Sequence, residues 1–124
     1  MKPPRTDTGQ SSVEAALVLP VVVLGLSVVL QAGLIVRDQV LVTHSAREGA
    51  RVAAVEADAD AAAEATRSAA GLDAGRLTVE VEGSLASGER VRIEVIYRSP
   101  IVVPLLNTLV DDIDLTAAVT IRVE

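Results

Sequence analysis

The sequence predicts an α+β chain in which a long N-terminal transmembrane helix continues into a small domain, with a second, alanine-rich helix packed on a three-stranded antiparallel sheet. Three observations predict it. Residues 15–36 form 22 consecutive positions without a charge, between Glu14 and Arg37. Small residues then recur at helical spacing to about Val55. The last third changes its apolar period from 3.6 to 2.

The uncharged run comes first. At about 1.5 Å per residue it covers roughly 33 Å, enough for a hydrocarbon layer of about 30 Å. A cleavable signal peptide is the competing reading. Against it, the run exceeds the usual apolar core, Glu14 stands where positive charge is expected, and Leu30 spoils the cleavage candidate Leu30-Gln31-Ala32. The expected division is therefore residues 1–9 as a cytoplasmic leader, 10–36 as the transmembrane helix and 37–124 as an extracytoplasmic α+β domain. Lys2 and Arg5 face Asp7 at one flank, and Arg37, Arg47 and Arg51 face Asp38 and Glu48 at the other. That balance does not fix orientation. A nine-residue tail stays in the cytoplasm more easily than 88 residues do, so the N-terminus is expected inside the cell membrane and the domain outside.

The run's border carries the chemistry. Residues 9–20 read Gly-Gln-Ser-Ser-Val-Glu-Ala-Ala-Leu-Val-Leu-Pro. A glycine at the membrane face lets a peptidase approach the backbone. Cleavage between Gly9 and Gln10 would free an amine at Gln10 and make Glu14 the fifth residue of the mature chain. A carboxylate at an apolar border is costly unless paired or protonated. A neighbouring chain's amine at the same depth would supply the pair and set the register of association. The plainer reading places Glu14 at the interface, stabilising a helix N-terminus.

These residues resemble the N-terminus of TadE-like proteins of the tight-adherence (Flp) pilus system. Ala46-Arg47-Glu48-Gly49-Ala50-Arg51 is similar to that family's segment after the membrane, and Thr120-Ile121-Arg122-Val123-Glu124 to its closing strand. Ala15 stands where the family often has an aromatic. The resemblance implies a minor pilin-like subunit (a pseudopilin), processed by a prepilin peptidase and needed for pilus assembly. The implied partners are that peptidase, other pilin-like subunits, the inner-membrane pilus assembly platform and membrane lipid. The alternative is an unprocessed, single-pass, membrane-anchored binding or adaptor protein.

Within the helix, Pro20 removes a donor and crowds the carbonyl of Ala16, so a kink or local loosening is expected there. Gly25 and Gly33 lie about two turns apart and admit close helix contact. Past Arg37, Ser45, Gly49 and Ala53 recur every four residues, as do Ala46, Ala50 and Ala54, giving a face on which a helix or sheet can sit closely. Glu48 reaches Arg51 at i+3. Asp58 or Asp60 caps a second helix running to Ala70, with Gly71 as its stop. Leu77, Val79 and Val81 then alternate with polar residues. After a hairpin loop from Gly83 to Gly88, so do Val91, Ile93, Val95 and Tyr97, and finally Leu115, Ala117, Val119, Ile121 and Val123. Each set reads as a half-buried antiparallel strand needing a helix to cover it. With the N-terminal helix, this is a pilin-like plan. Residues 99–110 are too apolar for an ordinary loop, and their prolines bar them from a central strand. They either close the core or present a patch to a partner subunit.

Composition narrows the function. Residues 37–124 carry a net charge of −6, unsuited to nucleic acid. Cysteine is absent, His44 is the lone histidine and Tyr97 the lone aromatic. No nucleophile–base pair, thiolate metal site or phosphate-cradling glycine motif is present. The expectation is a structural protein with no cofactor, metal or small-molecule substrate: the substrate of an enzyme rather than an enzyme.

Overall fold

The computed structural model describes residues 8–124, so most of the expected leader, with Lys2, Arg5 and Asp7, lies outside the described residues. Helix α1 (Thr8–Glu56) is followed by α2 (Ala59–Ala70), a 3-10 turn (Ala74–Arg76), β1 (Leu77–Gly83), β2 (Arg90–Ser99), a one-turn helix α3 (Leu106–Leu109) and β3 (Ile113–Arg122). The three strands form one antiparallel sheet in the order β1-β2-β3. The α+β architecture expected from the two periodicities is present.

α1 has 49 residues, roughly 73 Å at the usual rise. It passes through Pro20 as continuous helix, so the disturbance expected there does not end it. One proline removes one bond from a long ladder, which the remaining turns outlast. α1 stops at Glu56, where Ala57 takes a left-handed φ of 52° and its N–H donates to the Ala53 carbonyl at 3.2 Å. Asp58, rather than Asp60, then caps α2: its Oδ1 accepts from the N–H groups of Asp60 (2.8 Å) and Ala61 (3.2 Å). Gly71 closes α2 at φ 60°, a conformation that costs glycine nothing.

The core is built where small helix residues meet β-branched strand residues. Val42, Ala46, Ala50 and Ala53 of α1 and Ala62 of α2 are buried with Val91, Ile93, Val95 and Tyr97 of the central strand β2, and with Leu115 and Val123. The period-2 pattern is therefore fully expressed on β2, whose alternate residues are all buried. At about 25 cal/mol per Å² of apolar surface removed from water, this interface is the domain's main source of stability. The β1–β2 hairpin turns at Gly83 and Gly88, both at positive φ, and a Cβ on Gly83 would collide with the Arg90 carbonyl.

Candidate assembly and processing site

The first turns of α1 place Gly9, Gln10, Val13, Glu14 and Leu17 along one open helix face. This follows from the 3.6-residue repeat, which stacks positions three and four apart. The predicted scissile bond and the predicted pairing carboxylate are thus on the same side of the helix. Glu14 is exposed and makes no ion pair among the described residues. The helix is already formed at Thr8, so in the uncut chain Glu14 lies beyond the first turn. The dipole effect fades within that turn, which weakens the reading of Glu14 as a helix-terminus stabiliser.

Beyond it, α1 is long and apolar enough to cross a membrane, and none of its most apolar window is buried. A core helix of a soluble protein would be covered there. Gly25 and Gly33 have open surroundings: a Cβ built on either meets nothing within 4 Å. Pro20 is likewise exposed.

Ser45, Gly49 and Ala53 occupy the opposite situation. All three are buried, and a Cβ on Gly49 would collide with the Thr66 hydroxyl and come within 3.1 Å of the Ala62 carbonyl of α2. This small-residue face is occupied within the chain by α2. Ser45 Oγ donates to the Val42 carbonyl at 2.8 Å, and Thr66 Oγ1 to that of Ala62 at 2.7 Å, so each buried hydroxyl is satisfied by its own helix. Glu48 and Arg51 pair at 2.6 Å on the solvent side, and the guanidinium lowers the Glu48 pKa.

Between the two regions lies a set of polar contacts that sequence reasoning missed. Gln31 is 4% exposed although it stands inside the uncharged run. Its Nε2 donates to the Pro100 carbonyl at 3.2 Å, and its Oε1 accepts from the Val102 N–H at 3.0 Å. Two residues past the run, Ser99 Oγ donates to buried Asp38 Oδ2 at 2.8 Å, while Arg37 Nη1 reaches Oδ1 at 3.4 Å. Gln39 Nε2 donates to the Thr116 carbonyl at 3.4 Å. The end of β2 and the residues after it are thereby clamped to α1 at Gln31 and Asp38, and β3 at Gln39. Packing on α1 reaches back six residues before the expected boundary at 37. The available signal was Gln31 itself, the one amide among 22 uncharged and mostly apolar residues.

The connection 99–110 divides between core and surface. Ile101 and Val103 are buried, whereas Val102, Leu105, Leu109 and Val110 are exposed. Its base is fixed by Asp112, whose Oδ2 accepts from Arg76 Nη1 at 2.7 Å and whose Oδ1 accepts from the Ile101 N–H at 3.2 Å. The Arg76 hydrogen bond, then that of Ile101, holds the Asp112 pKa below its usual value. Burial, followed by the nearby Asp38 carboxylate, pushes the Tyr97 hydroxyl up.

Comparison with known families adds one finding. Residues 9–51 match the family described as TadE-like protein, which bears out the resemblance over α1 from the proposed processing site to Arg51. No curated protein and no solved structure matches the chain.

Proposed function

We propose, from a TadE-like anchor segment as premise, that the chain is a membrane-anchored, pilin-like subunit of a Tad-type pilus system, structural rather than catalytic. In this reading a prepilin peptidase cuts between Gly9 and Gln10. The mature helix stays in the membrane with its C-terminal domain outside, and Glu14 pairs with the free amine of an adjacent subunit. The observation that carries it is the shared helix face of Gly9, Gln10 and Glu14, at the edge of an apolar helix whose most apolar window is left uncovered among the described residues. Gly9 is helical, so cutting requires the first turn to open. Glycine, at about 1 kcal/mol less favourable than alanine in a helix, makes that opening easier. Pro20, Gly25 and Gly33 then remain available for contact with other helices, whereas Ser45, Gly49 and Ala53 serve the chain's own domain.

The test is the mature N-terminus and its consequence. Mass spectrometry of the native protein is expected to find Gln10 as the first residue. Glu14→Ala is expected to leave the protein folded and cut while abolishing most of its co-purification with other pilin-like subunits. Retention of Met1 in piliated cells, or normal piliation in the Glu14→Ala strain, overturns this reading.

A further inference from the structure

The connection between β2 and β3 is uncharged and mostly apolar over residues 99–110. It packs on the last third of the uncharged run, where Val28, Ala32 and Ile35 of α1 face Leu106, Val110 and Ile113 across a groove whose one polar lining residue is Gln31. Neither residues 15–36 nor residues 99–110 contain a charged side chain. On the outside of the connection Leu105 is 66% and Leu109 80% exposed, with Val102 and Val110 open beside them. At the same level of α1, Val29, Leu30 and Val36 are also exposed. Apolar groups therefore surround this level on both sides, which is costly in water and favourable in hydrocarbon.

Five backbone N–H groups of the connection are satisfied within the protein. Irregular chain at membrane depth must have its polar groups satisfied by the protein. Pro100 and Pro104 have no N–H to satisfy. The N–H of Ile101 goes to Asp112, that of Val102 to Gln31, and those of Asn107, Thr108 and Val110 to carbonyls within the connection. The Thr108 hydroxyl donates to the Leu105 carbonyl at 2.6 Å. Asn107 lies with Arg98, Asp111 and Asp112 around Val110, where a headgroup or water layer would begin.

We propose that residues 101–110 form a foot that inserts into the outer lipid leaflet beside α1, so that the domain rests in the membrane surface rather than standing clear of it. The depth expected for such an interfacial element is about 5–10 Å. The proposal rests on α1 being a membrane anchor, but not on cleavage or on filament assembly. Lipid is favoured over a second copy of the chain because the surface is continuous with the lipid-facing side of α1 and shares its lack of charge.

The absence of native cysteine allows a direct test on the full chain. Nitroxide labels are placed at Leu105→Cys and Leu109→Cys, with Val22→Cys as the span reference and Ala86→Cys, in the exposed β1–β2 hairpin, as the aqueous one. In phosphatidylcholine–phosphatidylglycerol vesicles, positions 105 and 109 are expected to lose collisions with a water-soluble nickel chelate and gain them with oxygen, as position 22 does. Accessibility matching Ala86→Cys, with position 22 in lipid, overturns the foot and leaves the anchor standing. Aqueous access at position 22 overturns both. Protection that disappears as the protein is diluted in lipid assigns the surface to a second copy and also overturns the foot. Broadening of the Leu105 and Leu109 methyl signals by lipid-bound against soluble gadolinium, in the unmodified chain, guards against an effect of the labels.

Discussion

The two halves of α1 are one continuous helix with opposite designs. Upstream of Gln31, large side chains such as Leu17, Leu19, Val21 and Leu26 are exposed, with no covering element among the described residues. Downstream of it, the buried positions are mostly small, from Ser45 and Ala46 to Ala53 and Ala54, and other elements lie against them. The contrast teaches that side-chain size here tracks the partner. Lipid tails conform to any shape, so bulk is tolerated wherever it is apolar. A rigid helix and sheet do not conform, so close approach requires removing bulk.

The sharpest way to break that comparison is to exchange bulk between the halves. Gly49→Leu is expected to destabilise the domain by about 3 kcal/mol or more through overpacking against Thr66 and Ala62. Gly33→Leu, where a Cβ meets nothing within 4 Å, is expected to cost nothing and to raise stability by up to about 1 kcal/mol through helix propensity. Thermal melting of both variants as monomers in detergent checks this, and similar losses would erase the distinction between the halves.

A second pair sharpens the junction. Gln31→Leu leaves the Val102 N–H and the Pro100 carbonyl without their partner, at an expected cost of about 1–3 kcal/mol and with faster exchange of the Val102 amide. Ser27→Leu, four residues upstream, removes only a bond to its own helix at Val23 and is expected to be nearly silent in the same measurement.

Charge changes in the domain are expected to act on the domain alone. Glu80 lies directly opposite Glu94 across β1 and β2, an unfavourable pairing of like charges. Glu80→Lys is expected to raise the denaturation midpoint by the equivalent of about 0.2–1 kcal/mol without altering membrane association. The smallest effect is expected at Asp112, where Asp112→Asn keeps an oxygen for the Ile101 N–H and loses only the charge of a half-exposed pairing with Arg76. Because its folded pKa is depressed, its contribution is fully present above the unfolded value of about 3.9 and fades as pH falls through the lower folded value. The stability difference between the native chain and Asp112→Asn, followed by denaturant titration across pH, should therefore be constant at neutral pH and shrink only in strong acid.

Much of this was legible because it depends on local rules. The caps of α2 at Asp58 and Gly71, the alternation from Val91 to Tyr97 and the helical spacing of Ser45, Gly49 and Ala53 are each set by a few neighbouring residues. The face shared by Gly9, Gln10 and Glu14 follows from the same helical repeat. The junction was not legible, since Gln31 with Pro100 and Val102, and Asp38 with Ser99, join positions more than sixty residues apart. Such pairings depend on where β2 ends relative to α1, which no periodicity encodes. For residues 101–110, the pattern showed that the segment was apolar. It did not show that alternate residues would divide between the core and the outside.

The clamps over residues 31–39 leave α1 without a free joint where its uncharged run ends. A rotation or tilt imposed on the embedded end is consequently carried as torque into the sheet, as through a lever on a welded axle. An axial pull on the outer domain draws directly on the buried rod, with no slack to absorb it.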